Sequence, residues 1–430
     1  MATQTGELGL PVRPLRARSL LMLASVLIAA APQARAADTC TEVRVMATAG
    51  PEPEFAAKYA KAEFEKATGI TVVFDTVSRD IQTQRASAEF VGNTGQYDII
   101  LIGNQDKLWV GRAASADMHK LLPASDIAKL VPRIRDLATM DNGKLVGIPQ
   151  YWNTTMYFYR KDLFSGAKNK SEFRSKYGYD LAPPTTWDQF LDIAEFFNRP
   201  PELYGSFISG ISWAALYDYY KALFGVGGEP SDLKSNTLLL DSPPSVKALS
   251  IVQRLAKVSP AGFRTQSFFD GDKLMQGGKL AAYSNFSYIW SALSKAPDKY
   301  AIAPMPGPGG VLAAGFWWAV PEKAPHPDCA RKLISWMLGD DFQTKQMIAT
   351  GNPPATSSVM HDKDATSKIP SFDAYLATAD RTRIINVAWA RELGEGISSA
   401  MSDVVSGKKT PEEAASWLQN VKFKGRKPLE

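Results

Sequence analysis

The sequence predicts a two-lobed α/β protein, and two observations carry this prediction. Strand-like runs alternate with helix-like runs along most of the chain, which is typical of helices layered on sheets and not of a sandwich or a bundle. About 390 residues remain once a leader is set aside, which is more than one hydrophobic core usually supports. We therefore expect two lobes, each with its own core.

The first 36 residues are predicted to be a cleavable secretory signal peptide. Arginines at positions 13, 16 and 18 precede an apolar run over residues 20–31, and Ala34-Arg35-Ala36 has the small-residue pattern of a cleavage site. The alternative is an N-terminal membrane anchor, but this run is shorter than the roughly 20 residues that span a bilayer core. We predict cleavage after Ala36 and a mature protein that is soluble in the periplasm.

Charge and cysteine content exclude several classes of protein. The leader carries four Arg and one Glu of the chain's 49 basic and 44 acidic residues, so the mature protein is close to neutral. The only basic run lies near the C-terminus, at residues 422–427, where a solvated end is the simplest interpretation, so nucleic acid is not expected as a partner. Cys40 and Cys329 are too few for a disulfide scaffold or a cysteine-rich metal site, but they could form one disulfide in the periplasm.

In the first part of the mature chain, strands and helices follow one another closely. Strands are predicted at residues 42–47, 70–74 and 98–102, with a helix at 55–67. The run Ile-Ile-Leu-Ile in the third strand does not alternate, which indicates a strand buried on both faces of a parallel sheet. A polar turn, Gly103 to Asp106, follows it at the sheet edge where ligands bind in open α/β sheets.

The segment from Gly143 to Phe164 is the most informative part of the sequence. Strand-like runs at 144–148 and 156–159 flank Pro149, Gln150, Tyr151, Trp152 and Asn153. Rings and amides in such a turn suit a ligand with apolar faces and many hydroxyls, whereas the segment has no His, Cys or acid pair for catalysis. It therefore indicates binding.

The remaining chain continues the α/β pattern. Helices are predicted after capping boxes that begin at Thr186 and Thr410. Further helices are expected at 213–224 and 329–338, and strands at 205–209, 279–284, 300–304 and 316–320, with a Pro- and Gly-rich loop at 304–310.

Signatures of enzymes are missing from the sequence. The three histidines are isolated, Gly-rich spots lack the G-K-[ST] ending of a phosphate cradle, and no G-x-S-x-G motif positions a nucleophile. We therefore expect a protein that is not an enzyme and has no metal or cofactor. A secreted glycoside hydrolase stays as the alternative, because such an enzyme needs only two carboxylates at a suitable separation.

Aromatic residues and amides point to a carbohydrate ligand. Ten Trp are present, and Trp152, Trp290, Trp317, Trp318 and Trp389 are placed near the ends of predicted elements. Aromatic faces offer flat apolar contacts to sugar rings, and the amides of Asn104, Gln105, Asn153 and Asn285 can pair with hydroxyls as donor and acceptor. Only Lys107, Arg112 and Arg391 lie near these positions, so a phosphorylated solute such as a phosphorylated polyol is the second choice.

The order of these segments resembles a known family. FEKATGITVVF, GQYDIILI, GKLVGIPQYWNTTMYFYRKDLF, PPTTWDQF, LMQGGKLAAYSN, AVPEKAPHPDCARKLISWML and SGKKTPEEA are similar, in this order, to segments of family 1 extracellular solute-binding proteins of ABC transporters. The resemblance is to the sugar-binding, maltose-binding-protein-like group, and it covers nearly all of the mature chain.

This resemblance implies a type II-like periplasmic-binding-protein fold with a hinge of crossing strands and a cleft between the lobes. The N-terminal lobe would comprise residues 37–150 plus about 299–322, and the C-terminal lobe residues 151–298 plus about 323–430. The protein would be a monomer that captures a sugar, oligosaccharide or polyol in the periplasm and delivers it to permease subunits in the inner membrane.

The resemblance also implies the ligand-binding positions. The expected site residues are Pro51, Glu52, Asn104, Gln105, Asp106, Trp152, Asn153, Trp213, Tyr217, Asn285, Tyr288, Trp317 and Trp389. The chain departs from the family in two places: Asn153 stands where an acid is common, and Phe286-Ser287-Tyr288 replaces a Gly-Pro-Trp-like turn. Both departures bear on which sugar binds.

Overall fold

Two mixed β-sheets organise the part of the chain that the structure describes. The structure is a computed structural model that describes residues 40–430, so the predicted signal peptide and its cleavage site lie outside the described residues. In chain order the strands are Glu42–Thr48 (β1), Thr71–Val77 (β2), Ile99–Gly103 (β3), Ile148–Pro149 (β4), Asn153–Arg160 (β5), Ser231–Asp232 (β6), Thr237–Leu238 (β7), Ala282–Phe286 (β8), Tyr300–Pro304 (β9), Val311–Ala314 (β10), Phe316–Ala319 (β11) and Thr382–Arg383 (β12).

The first sheet has the strand order β2-β1-β3-β11-β4, and the second has the order β12-β10-β5-β8 with β9 also paired to β5. Strands β1, β2 and β3 pair in parallel, whereas β11 runs antiparallel to both β3 and β4. Every residue of β3 is buried. Burial on both faces explains why this strand shows no alternation in the sequence.

Helices cover both sheets. Those of seven or more residues are Pro51–Tyr59 (α1), Arg79–Phe90 (α2), Pro132–Ala138 (α3), Ala167–Tyr177 (α4), Trp187–Phe197 (α5), Ser212–Gly225 (α6), Pro243–Lys257 (α7), Phe268–Gln276 (α8), Pro327–Met337 (α9), Asp340–Thr350 (α10), Ala390–Val405 (α11) and Pro411–Trp417 (α12). The predicted capping boxes are present, since the backbone N–H of Gln189 donates to Thr186 Oγ1 over 3.1 Å and that of Glu413 donates to Thr410 Oγ1 over 3.2 Å. Each box satisfies backbone donors that the first helical turn leaves unpaired.

Shorter helices occupy many of the connections. They are Glu65–Thr68, Lys107–Arg112, Met118–Leu121, Ala124–Ile127, Lys161–Ser165, Trp290–Leu293, Ser357–Met360, Lys363–Thr366 and Asp373–Leu376. A π-helical segment, Ala60–Phe64, joins α1 to the helical turn that follows it.

Two predicted strands are absent from the structure. Residues 144–147 form no strand, because the backbone around Lys144 and Val146 bonds to Met140 and Ala138, immediately after α3. Residues 205–209 form none either, because their N–H groups bond elsewhere: Ile208 to Ser259 Oγ over 3.2 Å, and Ser209 to Asp218 Oδ2 over 2.7 Å. Conversely, β10 was not predicted.

Sheet membership differs from the predicted lobe boundaries. Strand β9, expected in the N-terminal lobe, pairs with β5 in the second sheet. Helix α9, expected in the C-terminal lobe, packs against β1 of the first sheet, and a disulfide joins its Cys329 to Cys40 with Cα atoms 5.4 Å apart. Next to it, the ring of Phe342 on α10 lies 5.6 Å from that of Phe55 on α1. These pairings join residues that are far apart in the sequence, up to 289 positions for the disulfide, so local sequence patterns do not reveal them.

The chain passes between the sheets three times: once between β11 and β12, and at two places that lie side by side. One crossing lies between β4 and β5, and the other lies at Gly315, between β10 and β11. The backbone N–H of Gln150 donates to Phe316 O over 3.0 Å, and that of Asn104 donates to Gly315 O over 3.0 Å. Side-by-side crossings of this kind form the hinge of crossing strands. We call the first sheet with its helices the first lobe, and the second sheet with its helices the second lobe.

Candidate functional site

A buried carboxylate organises the second lobe's part of the site. Asp272 lies on α8 and is 6% exposed. One carboxylate oxygen accepts a 2.6 Å hydrogen bond from Asn285 Nδ2 at the end of β8, and the other accepts from the hydroxyl of Tyr288 in the turn that follows. Asn285 Nδ2 also lies 3.3 Å from the Tyr288 oxygen. Two of the predicted ligand-binding residues are thus held by an acid that the sequence analysis did not single out.

Burial governs the protonation of this group. It raises the pKa of Asp272 to about 6, while the hydrogen bonds from Tyr288 and Asn285, the neighbouring Tyr283 hydroxyl and the charge of Lys221 act in the opposite direction. Burial and the adjacent carboxylate raise the pKa of the Tyr288 hydroxyl as well. At neutral pH Asp272 is therefore an ionised acceptor and Tyr288 a neutral donor.

Aromatic side chains form a wall beside this cluster. Trp213 and Phe269 are 49% and 52% exposed, far more than most large rings in the protein. Neighbouring rings pack against one another here. Trp213 and Phe268 meet edge to face with ring centroids 5.4 Å apart, as do Tyr217 and Phe286 at 5.5 Å. Phe269 packs at a tilt, with its centroid 4.5 Å from that of Phe268 and 6.5 Å from that of Tyr288. We call this set, Trp213, Tyr217, Phe268, Phe269, Phe286 and Tyr288, the aromatic wall. It offers apolar ring faces next to polar atoms, as carbohydrate recognition requires.

The first lobe contributes a second buried acid. Glu52 lies in the first turn of α1, is 5% exposed, and accepts a hydrogen bond from Asn352 Nδ2 in the loop after α10. Burial raises the pKa of Glu52, and the bond from Asn352 opposes that rise. The charge of Glu52 in turn raises the pKa of Tyr288, so the two lobes' polar groups lie close enough to interact.

A chain of hydrogen bonds joins the lobes at this point. Ser287 Oγ lies 3.0 Å from Asn352 Oδ1 and 2.8 Å from Asn153 Oδ1, and the Ser287 backbone N–H donates to the same Asn153 oxygen over 3.2 Å. Glu52, Asn352, Ser287 and Asn153 therefore form a continuous path from α1 to the hinge. We call it the interlobe bridge.

Behind the hinge lies a cavity of about 20 Å³, room for about one water. The predicted residues Asn104, Trp152, Asn153 and Trp317 line it, and Asn104 Nδ2 donates to Ala313 O over 2.9 Å. Because Trp152 and Trp317 are only 3% and 4% exposed, they support the hinge from within.

A larger opening between the lobes has the size of a small-molecule site, but no residue of the aromatic wall or of the interlobe bridge lines it. It measures about 620 Å³ and is lined by Thr83, Gln84 and Ser87 on α2 of the first lobe and by Arg391 on α11 of the second. Pockets for small ligands are usually about 300–1,000 Å³.

Other predicted site residues lie outside the cluster. Pro51 is exposed at the first position of α1. Gln105 and Asp106 are half-buried in the turn after β3, where Asp106 accepts from the Gly103 N–H over 3.0 Å and from Trp109 Nε1 over 3.1 Å. Asp106 is thus committed to ordering this turn.

Trp389 packs against the C-terminal segment and not against the aromatic wall. Its Nε1 donates to Lys427 O over 2.8 Å, and the guanidinium of Arg426 lies 4.3 Å from its ring centroid. The segment was predicted to be a solvated end, and its Lys side chains are exposed. Its backbone is nevertheless docked, since Pro428 is buried and its carbonyl accepts from the Ala388 N–H over 2.8 Å.

Sequence reasoning missed several residues of the cluster, namely Asp272, Asn352, Ser287, Phe268 and Phe269. A usable sequence signal was the aromatic pair directly after Ser267, which together with Asp270 forms a capping pattern that marks a helix start. Asp272 and Asn352 had none, since their roles depend on contacts with distant segments.

The described residues show no sign of other site types. Among residues 40–430, no group of three or more His, Cys, Asp or Glu side chains could hold a metal ion. Within the same range, no helix has the length and apolar character needed to cross a membrane.

Two α/β lobes, a hinge of crossing strands and a polar, aromatic cluster between the lobes define the class of two-lobed solute-binding proteins. The sequence profile of the bacterial extracellular solute-binding protein family matches residues 59–372. The chain belongs to this family.

Comparisons with individual proteins agree with that assignment. The chain is 24% identical over 403 residues to a probable amino-acid ABC transporter periplasmic-binding protein of Sinorhizobium fredii, covering 88% of each. It is 24% identical over 350 residues to the mannitol-binding protein of Pseudomonas aeruginosa, covering 76% of this chain and 74% of that one. The crystal structure of an ABC transporter solute-binding protein from Agrobacterium radiobacter K84, in complex with ribitol, matches with a TM-score of 0.73 at 20% identity, over 88% of this chain and 97% of that one.

Proposed function

We propose that this chain is the periplasmic substrate-binding component of an ABC transporter, and that it captures a sugar, oligosaccharide or polyol between its lobes. The observation that carries this proposal is the aromatic wall beside the polar cluster of Tyr288, Asn285 and Glu52. Rings with about half of their surface exposed can stack on the C–H faces of a sugar, and carboxylates and amides can accept its hydroxyl hydrogens.

Binding acts through differential affinity for two arrangements of the lobes. A ligand that contacts Tyr288 in the second lobe and Glu52 in the first stabilises the closed arrangement relative to an open one, because only the closed form offers both sets of contacts. The hinge crossings near Gly315 are where the backbone would rotate. The closed form is then what the permease subunits of the transporter recognise.

The relatives support a polyhydroxy ligand without agreeing on one. One relative is named for mannitol and one structural neighbour contains ribitol, whereas another relative is named for amino acids. The exposed rings and the nearby hydrogen-bond acceptors of this chain favour the first two ligands over the third, because a polyol offers C–H groups and many neutral hydroxyls, whereas an amino acid carries a charged ammonium and a charged carboxylate.

We assign lobe boundaries from sheet membership. The first lobe comprises residues 40–149 and about 316–356, and the second comprises residues 153–314 and about 372–430. The Cys40–Cys329 disulfide supports this division, because it ties α9 to the first strand of the first sheet. It also supports export, since disulfides persist in the periplasm and are rare in the cytosol. Cleavage after Ala36 and a monomeric state complete the proposal.

The rival function is a secreted glycoside hydrolase. It is favoured by one observation, namely that Glu52 and Asp272 are buried acids with raised pKa values on opposite sides of the interlobe contact. Glycosidases use a pair of carboxylic groups in this way. Release of reducing ends from oligosaccharides, abolished by Glu52→Gln, would establish that activity and refute the binding function.

The proposal is tested by ligand-dependent thermal stability of the purified mature protein. A panel of neutral sugars and polyols, sugar phosphates, uronates, amino acids and polyamines is screened, because a ligand that binds only the folded state raises the melting temperature. We expect shifts with one or a few neutral sugars or polyols, and recovery of the bound compound unaltered by mass spectrometry. Shifts confined to amino acids or polyamines would refute the sugar assignment.

A further inference from the structure

The acid on α8 controls the direction of hydrogen bonds in the second lobe's part of the site. Asp272 can only accept when ionised, so the Tyr288 hydroxyl must donate its single hydrogen to it. Asn285 must likewise turn its amino group toward the carboxylate, as the 2.6 Å contact from Nδ2 shows. A buried acid thus determines the orientation of two side chains next to the aromatic wall.

The donors of both side chains are used up within the cluster. Tyr288 has one hydroxyl hydrogen, and it is given to Asp272. The two hydrogens of Asn285 Nδ2 are directed to Asp272 and, over 3.3 Å, to the Tyr288 oxygen. What remains for a ligand is a lone pair on the Tyr288 oxygen and the Oδ1 carbonyl of Asn285, and both of these are acceptors.

No nearby cation adds a hydrogen-bond donor to this set of acceptors. Lys221 is the closest positive group that acts on Asp272, but its Nζ lies 2.5 Å from Asp218 Oδ1 and donates to Ser284 O over 2.7 Å. The Tyr283 hydroxyl donates to Phe268 O over 2.9 Å. The Lys221 ammonium is thus held by Asp218 and by the Ser284 carbonyl, and not by the Asp272 cluster.

The first lobe adds a further hydrogen-bond acceptor, Glu52, opposite the cluster of Asp272, Asn285 and Tyr288. The Glu52 carboxylate accepts a hydrogen bond from Asn352 Nδ2, and Asn352 Oδ1 lies 3.0 Å from Ser287 Oγ. The interlobe contact therefore presents two carboxylates with low exposure. An anionic ligand there would meet like charge with little water to screen it, and such a contact is unfavourable.

We propose that Asp272 is a positioning residue that makes this site an acceptor of hydrogen bonds, so that the site selects neutral polyhydroxy ligands through their hydroxyl hydrogens and rejects phosphorylated or carboxylated ones. This inference rests on the proposed function and specifies its ligand class. It assigns the selectivity to a residue that acts through Tyr288 and Asn285.

The test compares Asp272→Asn with Tyr288→Phe, the double variant, and Asp270→Asn as a matched control. Asp270 lies on the same helix, but its carboxylate accepts from the Ser267 backbone N–H over 3.0 Å and orders the helix start. Affinities are measured by titration calorimetry with the neutral sugar or polyol that gives the largest thermal shift, with its phosphate ester, and with its O-methyl ethers.

We expect Asp272→Asn to weaken neutral-ligand binding about 10- to 100-fold, in line with hydrogen bonds that involve charged groups. The amide introduces a donor, so the ratio of neutral to phosphorylated affinity should fall too, whereas Asp270→Asn leaves the ratio unchanged. The double variant should lose less than the sum of the two single variants, because both act on one interaction.

Four outcomes would each contradict one part of the proposal. If wild-type protein binds phosphate esters or uronates more tightly than neutral compounds, this inference is wrong while the solute-binding function stands. If Asp272→Asn folds, as judged by its melting temperature without ligand, and keeps wild-type selectivity, the positioning role is wrong. If Asp272→Asn does not fold, Tyr288→Phe decides the question. Equal affinity of Tyr288→Phe for the ligand and for its O-methyl ether supports the role of the Tyr288 oxygen as an acceptor. If Tyr288→Phe still prefers the ligand over the ether as strongly as the wild type does, that role is refuted. No response to any compound of the panel would refute the proposed function itself.

Discussion

Removal of the disulfide tests how the first lobe is held together. The bond joins residues that are 289 positions apart and connects α9 to the start of β1. Because Cys329 is fully buried, we propose the variant Cys40→Ala/Cys329→Ala, which leaves no hydroxyl in the core. The unfolded chain of this variant gains all the conformations that the cross-link forbids.

The expected loss follows from the loop length. The chain-entropy expression for a closed loop of about 290 residues gives about 5.6 kcal/mol at 25 °C, and measured losses for native disulfides are about 2–5 kcal/mol. We therefore expect the free energy of unfolding to fall by about 4 kcal/mol. With a denaturant slope of about 3 kcal/mol per M, the urea midpoint would fall by about 1.3 M.

Urea unfolding followed by tryptophan fluorescence measures this shift. The oxidised protein, the same protein with reductant, and the double variant are compared, and we expect the last two to agree. Each single Ala variant should match the double variant, since either one removes the bond. Equal midpoints for oxidised and reduced protein would refute the argument, as would a changed ligand affinity, because the bond acts mainly on the unfolded chain.

Three further predictions concern the second lobe. Trp213→Ala should weaken ligand binding about tenfold with under about 1 kcal/mol loss of stability, because the ring is 49% exposed. Trp389→Ala is the control. An equal loss of affinity in that variant would contradict the assignment of Trp213 to the ligand-binding site. Ligand affinity should fall as the pH drops below about 6, because burial raises the pKa of Asp272 to about 6 and binding needs the ionised form. The stability of the protein without ligand changes in the opposite direction. The contribution of Asp272 to that stability is fully present below about pH 4 and is lost as the pH rises through about 6. A flat affinity profile from pH 5 to 8 would exclude this role. Lys221→Met should cost about 3–5 kcal/mol in chemical denaturation, because buried Asp218 loses its positively charged partner and keeps only the Ser209 N–H, and adding Asp218→Asn should restore part of that loss.

Local patterns predicted the elements that depend on local physics. The capping box at Thr186 and the apolar run of β3 appear as expected, because a capping pair and an unbroken apolar strand need no distant partner to be recognised. The aromatic and amide positions Trp213, Tyr217, Asn285 and Tyr288 also come together, and here the resemblance supplied what spacing alone does not.

Local patterns did not predict the contacts between segments that are distant in the sequence. Strand β9 pairs with β5, and α9 packs against β1, contacts that no local periodicity encodes. Asp272 was missed for a similar reason, because a single acid on an amphipathic helix becomes important only when β8 places Asn285 and Tyr288 against it. The residues 205–209 have strand-like composition, but side-chain acceptors such as Asp218 take their N–H groups instead.

The strand order of the first sheet has a consequence for how the chain folds during synthesis. In that sheet β11 lies between β3 and β4, so β4 cannot join until residues 316–319 have been made. The earlier three strands therefore wait for a segment more than 200 residues later, and such non-local closure is slow. A nascent chain with this order stays without its complete first sheet until it is mostly synthesised, and this delay would favour the proposed export of an unfolded polypeptide.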